Sequence, residues 1–517
     1  SGGIGWCRDL YRRQKNMPIA SPSLVRSSIC VEPRSPLPYH QAMDGTVTGD
    51  FFTDSVREDW LAAGRSRHGR VSRLLVPAAP QGWLHDEELP LPDWQSILAI
   101  EKECRSLPEG QVGPLGQLWL NEVETWASRM KHKYQASRTA VSGSWRLNID
   151  AWRKRLDRLP RARRLKVLKI IEHGASLPFN EGRPPPRPIR TLHNHPELRQ
   201  KPNEVWNTLK EQLDELAVTP HDCSATLPPS APPGTIPLGS DDVSVLPQGV
   251  YPIRWVEKSD SDRVRITINM IPLNKTFEEN CGAVDLSTLS KISSLWQKDD
   301  FQVTLDQHAA YYHLEYSEDS TKWLGFMVDD SELPRDAVEE LSRRCPQARW
   351  STSKWVFTYK GLAMGCSPSA AQYCLCVDAL MDSWRNCTVG EALGLPSEQL
   401  RCSQYIDDSL YLVQGFAHAM ELGLRVLLEH IICGFHINVT KSHLLPSRRR
   451  CFLGCICDST DLSFSLTKSR CEKLRLRVYQ LRQAVKEARE KNRSCPYVRM
   501  RTIAKLVGSV WSIHVVC

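Results

Sequence analysis

The chain has 517 residues, 41% of them hydrophobic, which is enough for about three or four domains with substantial cores. Its net charge of +8 favours a polyanionic partner. No apolar run reaches the ~18 residues of a membrane span, and neither a phosphate loop nor a dinucleotide-binding glycine motif occurs. The 18 cysteines form no CxxC pair, so we expect reduced packing residues in an intracellular protein of the cytoplasm, the nucleus or both.

Residues 1–144 are weakly patterned and rich in Pro, Ser and Arg. They predict a mostly helical or irregular N-terminal extension, to which the sequence assigns no role. Helical spacing of apolar residues predicts two helices in it, at Trp94 to Glu103 and at Leu115 to Tyr134.

Residues 145–248 form a basic helical segment followed by a Pro-rich linker. The run from Trp152 to Lys169 carries nine Lys and Arg residues against one acidic residue, Asp157. Such a run either binds a phosphate backbone or forms a solvated helix face, and the sequence leaves both readings open. A further helix is predicted at Val205 to Leu216.

Residues 249–465 alternate short strands with helices, which predicts an α+β fold, and residues 466–517 are again helical and basic. The predicted strands are Ile253 to Glu257, Val264 to Asn269, Phe301 to Leu305 and Tyr405 to Val413. The predicted helices are Leu286 to Trp296, Ser369 to Arg385, Ala417 to Cys433, Thr467 to Asn492 and Arg501 to Ser512.

Two adjacent carboxylates, Asp407 and Asp408, interrupt the apolar run from Tyr405 to Val413. Because neighbouring side chains on a strand point to opposite faces, one of them would enter a core unless the chain turns there. A hairpin turn beside the strand that ends at Asp306 would gather three carboxylates at one sheet edge. Hard oxygen ligands of this kind suit Mg²⁺, and two such ions can serve a phosphoryl displacement, with Mn²⁺ as a substitute.

Six short motifs follow one another along the chain. Lys258 and Arg265 precede ITINMIPLNK, and LDQHAAYYHLEY carries Asp306. The later motifs are YKGLAMGCSPSAAQYC, YIDD, GFHINVTKS and CFLGCICD. In this order, the six motifs resemble those of the reverse transcriptases. A lone YxDD is weak evidence, whereas six motifs in order are strong.

The resemblance implies a polymerase right hand, with fingers and palm in 249–465 and thumb or connection helices in 466–517. It implies an antiparallel palm sheet backed by helices, and an RNA or DNA template-primer and dNTPs as partners. The catalytic, metal-binding set would be Asp306, Asp407 and Asp408. The nucleotide-binding set would be Lys258, Arg265, Tyr311, Met364, Gly365 and Lys441, with Tyr311 under the sugar. The primer contacts would be Tyr405, Phe452, Leu453 and Gly454.

The subgroup most resembled is the DIRS group of retrotransposons, which integrate through a tyrosine recombinase, while viruses and elements of the long-terminal-repeat classes stay open as alternatives. The segments IIEHGASLPF, GLAMGCS and RTIAKLVGSVWS carry this similarity. It implies no membrane partner, and it implies an element-encoded recombinase, ribonuclease H region and capsid-like protein as further partners.

The sequence departs from the family at three places. Met364 stands where retroviral relatives carry Gln, Ala363 replaces a common Pro, and residues 329–350 look like an inserted helix. Two alternatives therefore stay open: a decayed, inactive element copy that only binds nucleic acid, and an RNA-dependent RNA polymerase.

Overall fold

The computed structural model describes residues 88–108, 111–142, 147–223, 243–257, 263–286, 288–387, 389, 400–491, 498 and 500–511. The α-helices in these residues are α1 (Trp94–Ser106), α2 (Pro114–Ser142), α3 (Ile149–Arg155), α4 (Arg161–His173), α5 (Pro202–Asp214), α6 (Ile271–Asn274), α7 (Leu289–Leu295), α8 (Glu318–Thr321), α9 (Arg335–Arg344), α10 (Ser367–Cys387), α11 (Phe416–Cys433), α12 (Lys468–Lys491) and α13 (Met500–Trp511).

The strands in the same residues are β1 (Ile189–Arg190), β2 (Val218–Pro220), β3 (Gly249–Val250), β4 (Ile253–Glu257), β5 (Val264–Ile268), β6 (Phe301–Asp306), β7 (Gly325–Asp329), β8 (Lys354–Tyr359), β9 (Arg401–Tyr405), β10 (Asp408–Val413), β11 (His443–Ser447), β12 (Arg449–Phe452), β13 (Cys455–Asp458) and β14 (Ser463–Leu466). The fold is the mixed α+β class that the sequence predicts. The predicted helices and strands named above are confirmed within a few residues at their ends, with two exceptions: α2 extends eight residues past the predicted end at Tyr134, and a turn at 406–407 divides the run from Tyr405 to Val413 between β9 and β10.

The central sheet has four antiparallel strands in the order β11-β6-β10-β9. Alternation along β6 and β10 sends Val303, Leu305 and Tyr411 to one face, where they join the main hydrophobic core. Helix α11 is buried along almost its whole length because it packs against β6, β10 and β11 on this face, and α10 packs against β9. The antiparallel sheet is therefore backed by helices.

The opposite face of the central sheet is covered by a smaller sheet, β12-β13-β14. Leu410 and Leu412 of β10 share a second hydrophobic cluster with Phe452, Cys455 and Cys457. The smaller sheet packs on β10 at Leu410 and Leu412. Asp408, at the polar end of β10, therefore lies at the edge of this hydrophobic cluster.

A five-stranded sheet, β1-β3-β7-β8-β2, joins strands from both sides of residue 249. The sequence boundary expected between 248 and 249 therefore lies inside one sheet.

The inserted segment 329–350 does contain a helix, α9. Helix α9 is tied to α5 by the ion pairs Lys210–Glu340, at 2.9 Å, and Arg344–Asp214, at 2.6 Å.

Strands β4 and β5 form a separate antiparallel hairpin. Val264, Ile266 and Ile268 of β5 are buried, so Arg265 between them projects from the opposite, exposed face.

The basic helix α12, near the C-terminal end of the described residues, has no buried residue. It contacts α13, where Arg477 donates to the carbonyl of Lys505 at 3.0 Å. No helix among the described residues is long and apolar enough to cross a membrane.

Candidate active site

The chain reverses between β9 and β10 at Ile406 and Asp407, as the two adjacent carboxylates predict. Ile406 takes a positive φ of 56°, which is unusual for a β-branched residue and is held only where the surroundings fix it. The backbone carbonyl of Asp407 accepts a hydrogen bond from the Gln307 N–H at 2.9 Å. The turn is thereby attached to the residue that follows Asp306.

Asp306 and Asp408 are directly opposite each other in the β6–β10 register. Like charges in such a pair repel, and burial with the neighbouring carboxylates of Asp407 and Asp306 raises the pKa of Asp408 to about 6. No ion pair of the described residues includes Asp407 or Asp408. The three carboxylates therefore form an oxygen-only donor set, which is the chemistry that a hard divalent cation satisfies.

A cavity of about 560 Å³ opens at this end of the central sheet. All three aspartates line it, together with four residues of the predicted nucleotide set: Arg265, Tyr311, Met364 and Lys441. The fingers-type hairpin β4–β5, the central sheet and the loop after α11 thus contribute to one cavity. Lys258, the remaining cation of the predicted set, lies outside the described residues.

Tyr311 lies half-buried in the wall of the cavity. Its ring meets the fully buried ring of Tyr373 edge-on, with centroids 5.5 Å apart, and burial raises the pKa of its hydroxyl to about 12. The Tyr373 hydroxyl donates to Oε1 of Gln307, so the aromatic pair is connected to the residue that follows strand β6. The neighbouring Tyr312 accepts a hydrogen bond from Gln212 Nε2 at 2.8 Å.

Gly365 stands behind Met364 and does not line the cavity itself. Met364 is 40% exposed there, while Gly365 has a φ of +110°. The Gly365 carbonyl accepts from Asn274 Nδ2 at 2.8 Å, which fixes this turn to helix α6. Gly365 is therefore a backbone element that presents Met364 to the cavity.

Lys441 follows a tight turn whose first residue, Asn438, is hydrogen-bonded to the end of strand β6. The Asn438 N–H donates to the carbonyl of Asp306 at 2.9 Å, and the Lys441 N–H donates to the carbonyl of Asn438 at 3.2 Å. The Lys441 side chain is exposed at the cavity.

The four predicted primer contacts lie outside the cavity lining. Tyr405 is the register partner of Asp408. Phe452 is buried in the second hydrophobic cluster, which Tyr405 and Leu453 also contact. Leu453 and Gly454 form the β12–β13 turn with φ values of 50° and 72°. Packing accounts for Phe452, whereas the turn residues are presented at the surface.

The basic run from Trp152 to Lys169 is partly an internal ion-pair network. Arg155 is buried and forms a bidentate pair with Glu429, at 2.6 and 2.9 Å. Arg163 pairs with Asp382 at 2.5 Å, and Arg164 pairs with Asp157 at 2.6 Å. Lys154, Arg161, Lys166 and Lys169 remain as exposed cations on this segment.

The sequence did not reveal a second polar group at the cavity, formed by Glu211, Glu215 and His308. Their potential ligand atoms all lie within 4.8 Å of one another. Among the described residues, the carboxylate oxygens of the three aspartates do not meet this distance. His308 Nε2 is 2.7 Å from Glu215 Oε1, and this hydrogen bond raises the pKa of His308. No sequence signal connects helix α5 to the residues after Asp306, because more than 90 residues separate them.

Residues 258–457 match the family described as reverse transcriptase (RNA-dependent DNA polymerase). This segment is therefore similar to a reverse transcriptase domain. Such a domain is that of a nucleotidyltransferase, an RNA-directed DNA polymerase. No curated protein matches the chain.

Solved structures similar to the chain include the foamy viral protease-reverse transcriptase dRH in complex with double-stranded DNA (14% identity, TM-score 0.42, 70% of this chain). The same viral protein with double-stranded DNA and with an RNA/DNA hybrid also matches, each at 14% identity and a TM-score of 0.40 over 70% of this chain. The chain spans 52%, 61% and 40% of those three chains, respectively.

Proposed function

We propose that this chain is an active reverse transcriptase that copies RNA into DNA by adding dNTPs to a primer 3′-hydroxyl. The observation that carries the proposal is the register pair Asp306–Asp408, with Asp407 at the adjoining turn, in a cavity that also holds Arg265 and Lys441. Negative groups at the sheet edge and cations on the facing elements suit a triphosphate bound between them.

Asp306, Asp407 and Asp408 would hold two Mg²⁺ ions, for which Mn²⁺ could substitute. The fit rests on the donor set, which has only carboxylate oxygens, and on the crowding of these groups, since burial and the carboxylates of Asp407 and Asp306 raise the pKa of Asp408. When bound, the ions would stabilise the charge that develops on the attacking and leaving oxygens.

The side chains around the aspartates would bind and orient the substrate. Arg265 presents a planar guanidinium that suits bidentate phosphate contact, and Lys441 presents a point charge able to protonate the pyrophosphate. Lys258 would be a second phosphate-binding cation from the same hairpin. Tyr311 would lie under the sugar, with Met364 and the Gly365 turn beside the nucleotide. Tyr405, Phe452, Leu453 and Gly454 would shape the primer contact.

The proposed organisation assigns fingers and palm to 249–465 and thumb or connection helices to 466–517. Residues 145–248 would contribute the basic helical segment and the linker, and 1–144 the N-terminal extension. The five-stranded sheet indicates that part of 145–248 belongs with the fingers, because β1 and β2 pair within it. The exposed cations Lys154, Arg161, Lys166 and Lys169 and the basic helix α12 would contact the nucleic-acid backbone, a contact that weakens with salt.

The cellular setting is also proposed. On the motif resemblance, the chain would come from a retrotransposon of the DIRS group and act in the cytoplasm, the nucleus or both. Its partners would be an RNA or DNA template-primer and the element's recombinase, ribonuclease H region and capsid-like protein, without a membrane partner.

Primer extension with purified protein tests the proposal. A 5′-labelled DNA primer is annealed to matched RNA and DNA templates, and dNTPs or NTPs are supplied separately with Mg²⁺. We expect extension with dNTPs on the RNA template. Extension with NTPs alone would indicate an RNA-dependent RNA polymerase, and template binding without any extension would indicate a decayed copy.

A further inference from the structure

The C-terminal end of helix α11 is capped by residues from the N-terminal part of the chain. A helix leaves its last carbonyls without intrahelical partners. The carbonyl of Cys433 accepts from the Asn148 N–H at 2.9 Å and from Trp152 Nε1 at 3.0 Å. Gln135 Nε2 on α2 donates to the carbonyls of Ile431, at 3.1 Å, and Phe435, at 3.2 Å.

Lys131, one turn before Gln135 on α2, reaches the segment that follows α11. Its Nζ donates to the carbonyl of Ile437 at 3.0 Å, and burial lowers its pKa. An apolar residue at position 131 would pack α2 on α11 without the cost of desolvating a charge. Packing alone therefore does not account for a lysine whose ammonium group donates to the carbonyl of Ile437. Lys131 and Gln135 together fix the carbonyls of Phe435 and Ile437, two residues apart.

The segment 434–442 is in turn hydrogen-bonded to the catalytic strand on both sides of Asp306. The Asp306 N–H donates to Ser442 Oγ at 3.0 Å, and the Asp306 carbonyl accepts from the Asn438 N–H at 2.9 Å. The His308 N–H donates to the carbonyl of His436 at 2.8 Å. Lys441, at the cavity, belongs to the same segment.

We propose that Lys131 and Gln135 are positioning residues that hold segment 434–442 and, through it, the Asp306 backbone and Lys441 at the nucleotide cavity. The described helices of the N-terminal extension would then be a built-in support of the active site. The inference rests on the proposed polymerase function. Small misplacements of catalytic groups are costly, with ~1 Å able to reduce rates by about a hundredfold.

The test compares Lys131→Met, Gln135→Leu and the double variant with the conservative Lys131→Arg and with Arg129→Met. Arg129 is an exposed cation on the same helix, so its removal controls for charge. Each variant is assayed for kcat, for KM with a dNTP and for the Mg²⁺ concentration that gives half-maximal extension. We expect the first three to lower kcat about tenfold, a cost of about 1.4 kcal/mol, and to raise the Mg²⁺ midpoint. Lys131→Arg and Arg129→Met should match the wild type.

A role in stability alone would reduce the active fraction and leave the Mg²⁺ midpoint and KM unchanged, which would overturn the proposal. Hydrogen exchange gives a readout that does not depend on activity. The amides of His308 and Asn438 form the hydrogen bonds between segment 434–442 and residues 306–308, so their exchange rates report on this contact. We expect their exchange to quicken in Gln135→Leu and in the double variant. Unchanged exchange would also overturn the proposal, whereas failure of the wild type to extend a primer would reject the polymerase function alone.

Discussion

Gly365 and Ile268 touch through their backbones. A Cβ added at Gly365 would lie 2.5 Å from the carbonyl oxygen of Ile268, and the φ of +110° excludes other residues without strain. This close approach joins the turn that presents Met364 to the end of strand β5, which carries Arg265. Two walls of the cavity are therefore held together at a glycine, where the backbones of the turn and of β5 come into close contact.

We expect Gly365→Ala to destabilise the chain by more than about 1 kcal/mol and to raise KM for dNTPs, because the turn must move away from β5. Gly508 in α13 is the matched control, since nothing lies within 4 Å of its added Cβ. Gly508→Ala should leave KM unchanged and stabilise its helix by up to ~1 kcal/mol. The measurements are urea unfolding and steady-state extension. An unaltered KM in a folded Gly365→Ala protein would contradict the assigned contact.

Asp407→Asn should abolish primer extension while template-primer binding stays close to that of the wild type. The substitution removes one ligand charge from the three-carboxylate set at an exposed turn, so the fold has little reason to change. Loss of several kcal/mol of charge stabilisation corresponds to a drop in kcat of at least about a hundredfold. Asp461→Asn, at the exposed turn between β13 and β14, is the control. Substantial extension by Asp407→Asn would remove this residue from the metal set.

The buried imidazole of His430 should make the fold sensitive to acid. His430 has no exposed surface, it packs against the rings of Trp384 and Phe435, and burial lowers its pKa to about 4. The unfolded chain binds the proton near its ordinary pKa of about 6.5. Stability from this group is therefore present above pH ~6.5 and is lost as pH falls towards 4, at about 1 kcal/mol per pH unit.

Substituting His430→Leu should flatten the decline in urea midpoint between pH 7.5 and pH 5. His193→Leu, at an exposed histidine, should leave the decline as steep as in the wild type. An equally steep decline in His430→Leu would place the acid sensitivity in other groups.

The sequence predicts the elements that carry strong local patterns. Strand β6, the β9–β10 hairpin and helices α10 and α11 are predicted from the sequence, because each carries a run of apolar residues that the fold buries. The sequence also predicts that the three aspartates lie together. Asp407 and Asp408 require a turn between β9 and β10, and this turn lies beside the end of β6 at Asp306, at one edge of the central sheet.

Features set by long-range contacts were not visible in the sequence. Strands β1 and β3 have two residues each, and only their pairing with each other and with β7 defines them. The attachment of α2 to segment 434–442 joins residues about 300 positions apart, as with Lys131 and Ile437. Tertiary packing determines these long-range contacts, and the local sequence pattern does not indicate them.

Tyr311 should act as the residue that selects deoxyribose. It lies in the cavity wall beside the three aspartates, and its ring is braced edge-on by the buried Tyr373. A ring held there would leave no room for a 2′-hydroxyl, whereas a deoxyribose would pack against it. The discrimination would be steric, so a smaller side chain should admit ribonucleotides without a large loss of dNTP use.

The measurement is the ratio of kcat/KM for dCTP and CTP on one primer-template, compared between the wild type and Tyr311→Val. Each tenfold loss of selectivity corresponds to about 1.4 kcal/mol of differential transition-state binding. Tyr312→Phe is the control, because it removes only the hydroxyl that accepts from Gln212 and leaves an adjacent ring in place. We expect selectivity to fall in Tyr311→Val and to persist in Tyr312→Phe. If the Tyr311→Val ratio stays at the wild-type value while overall activity falls, Tyr311 supports the cavity through packing, and Tyr312→Val becomes the variant that must lose selectivity.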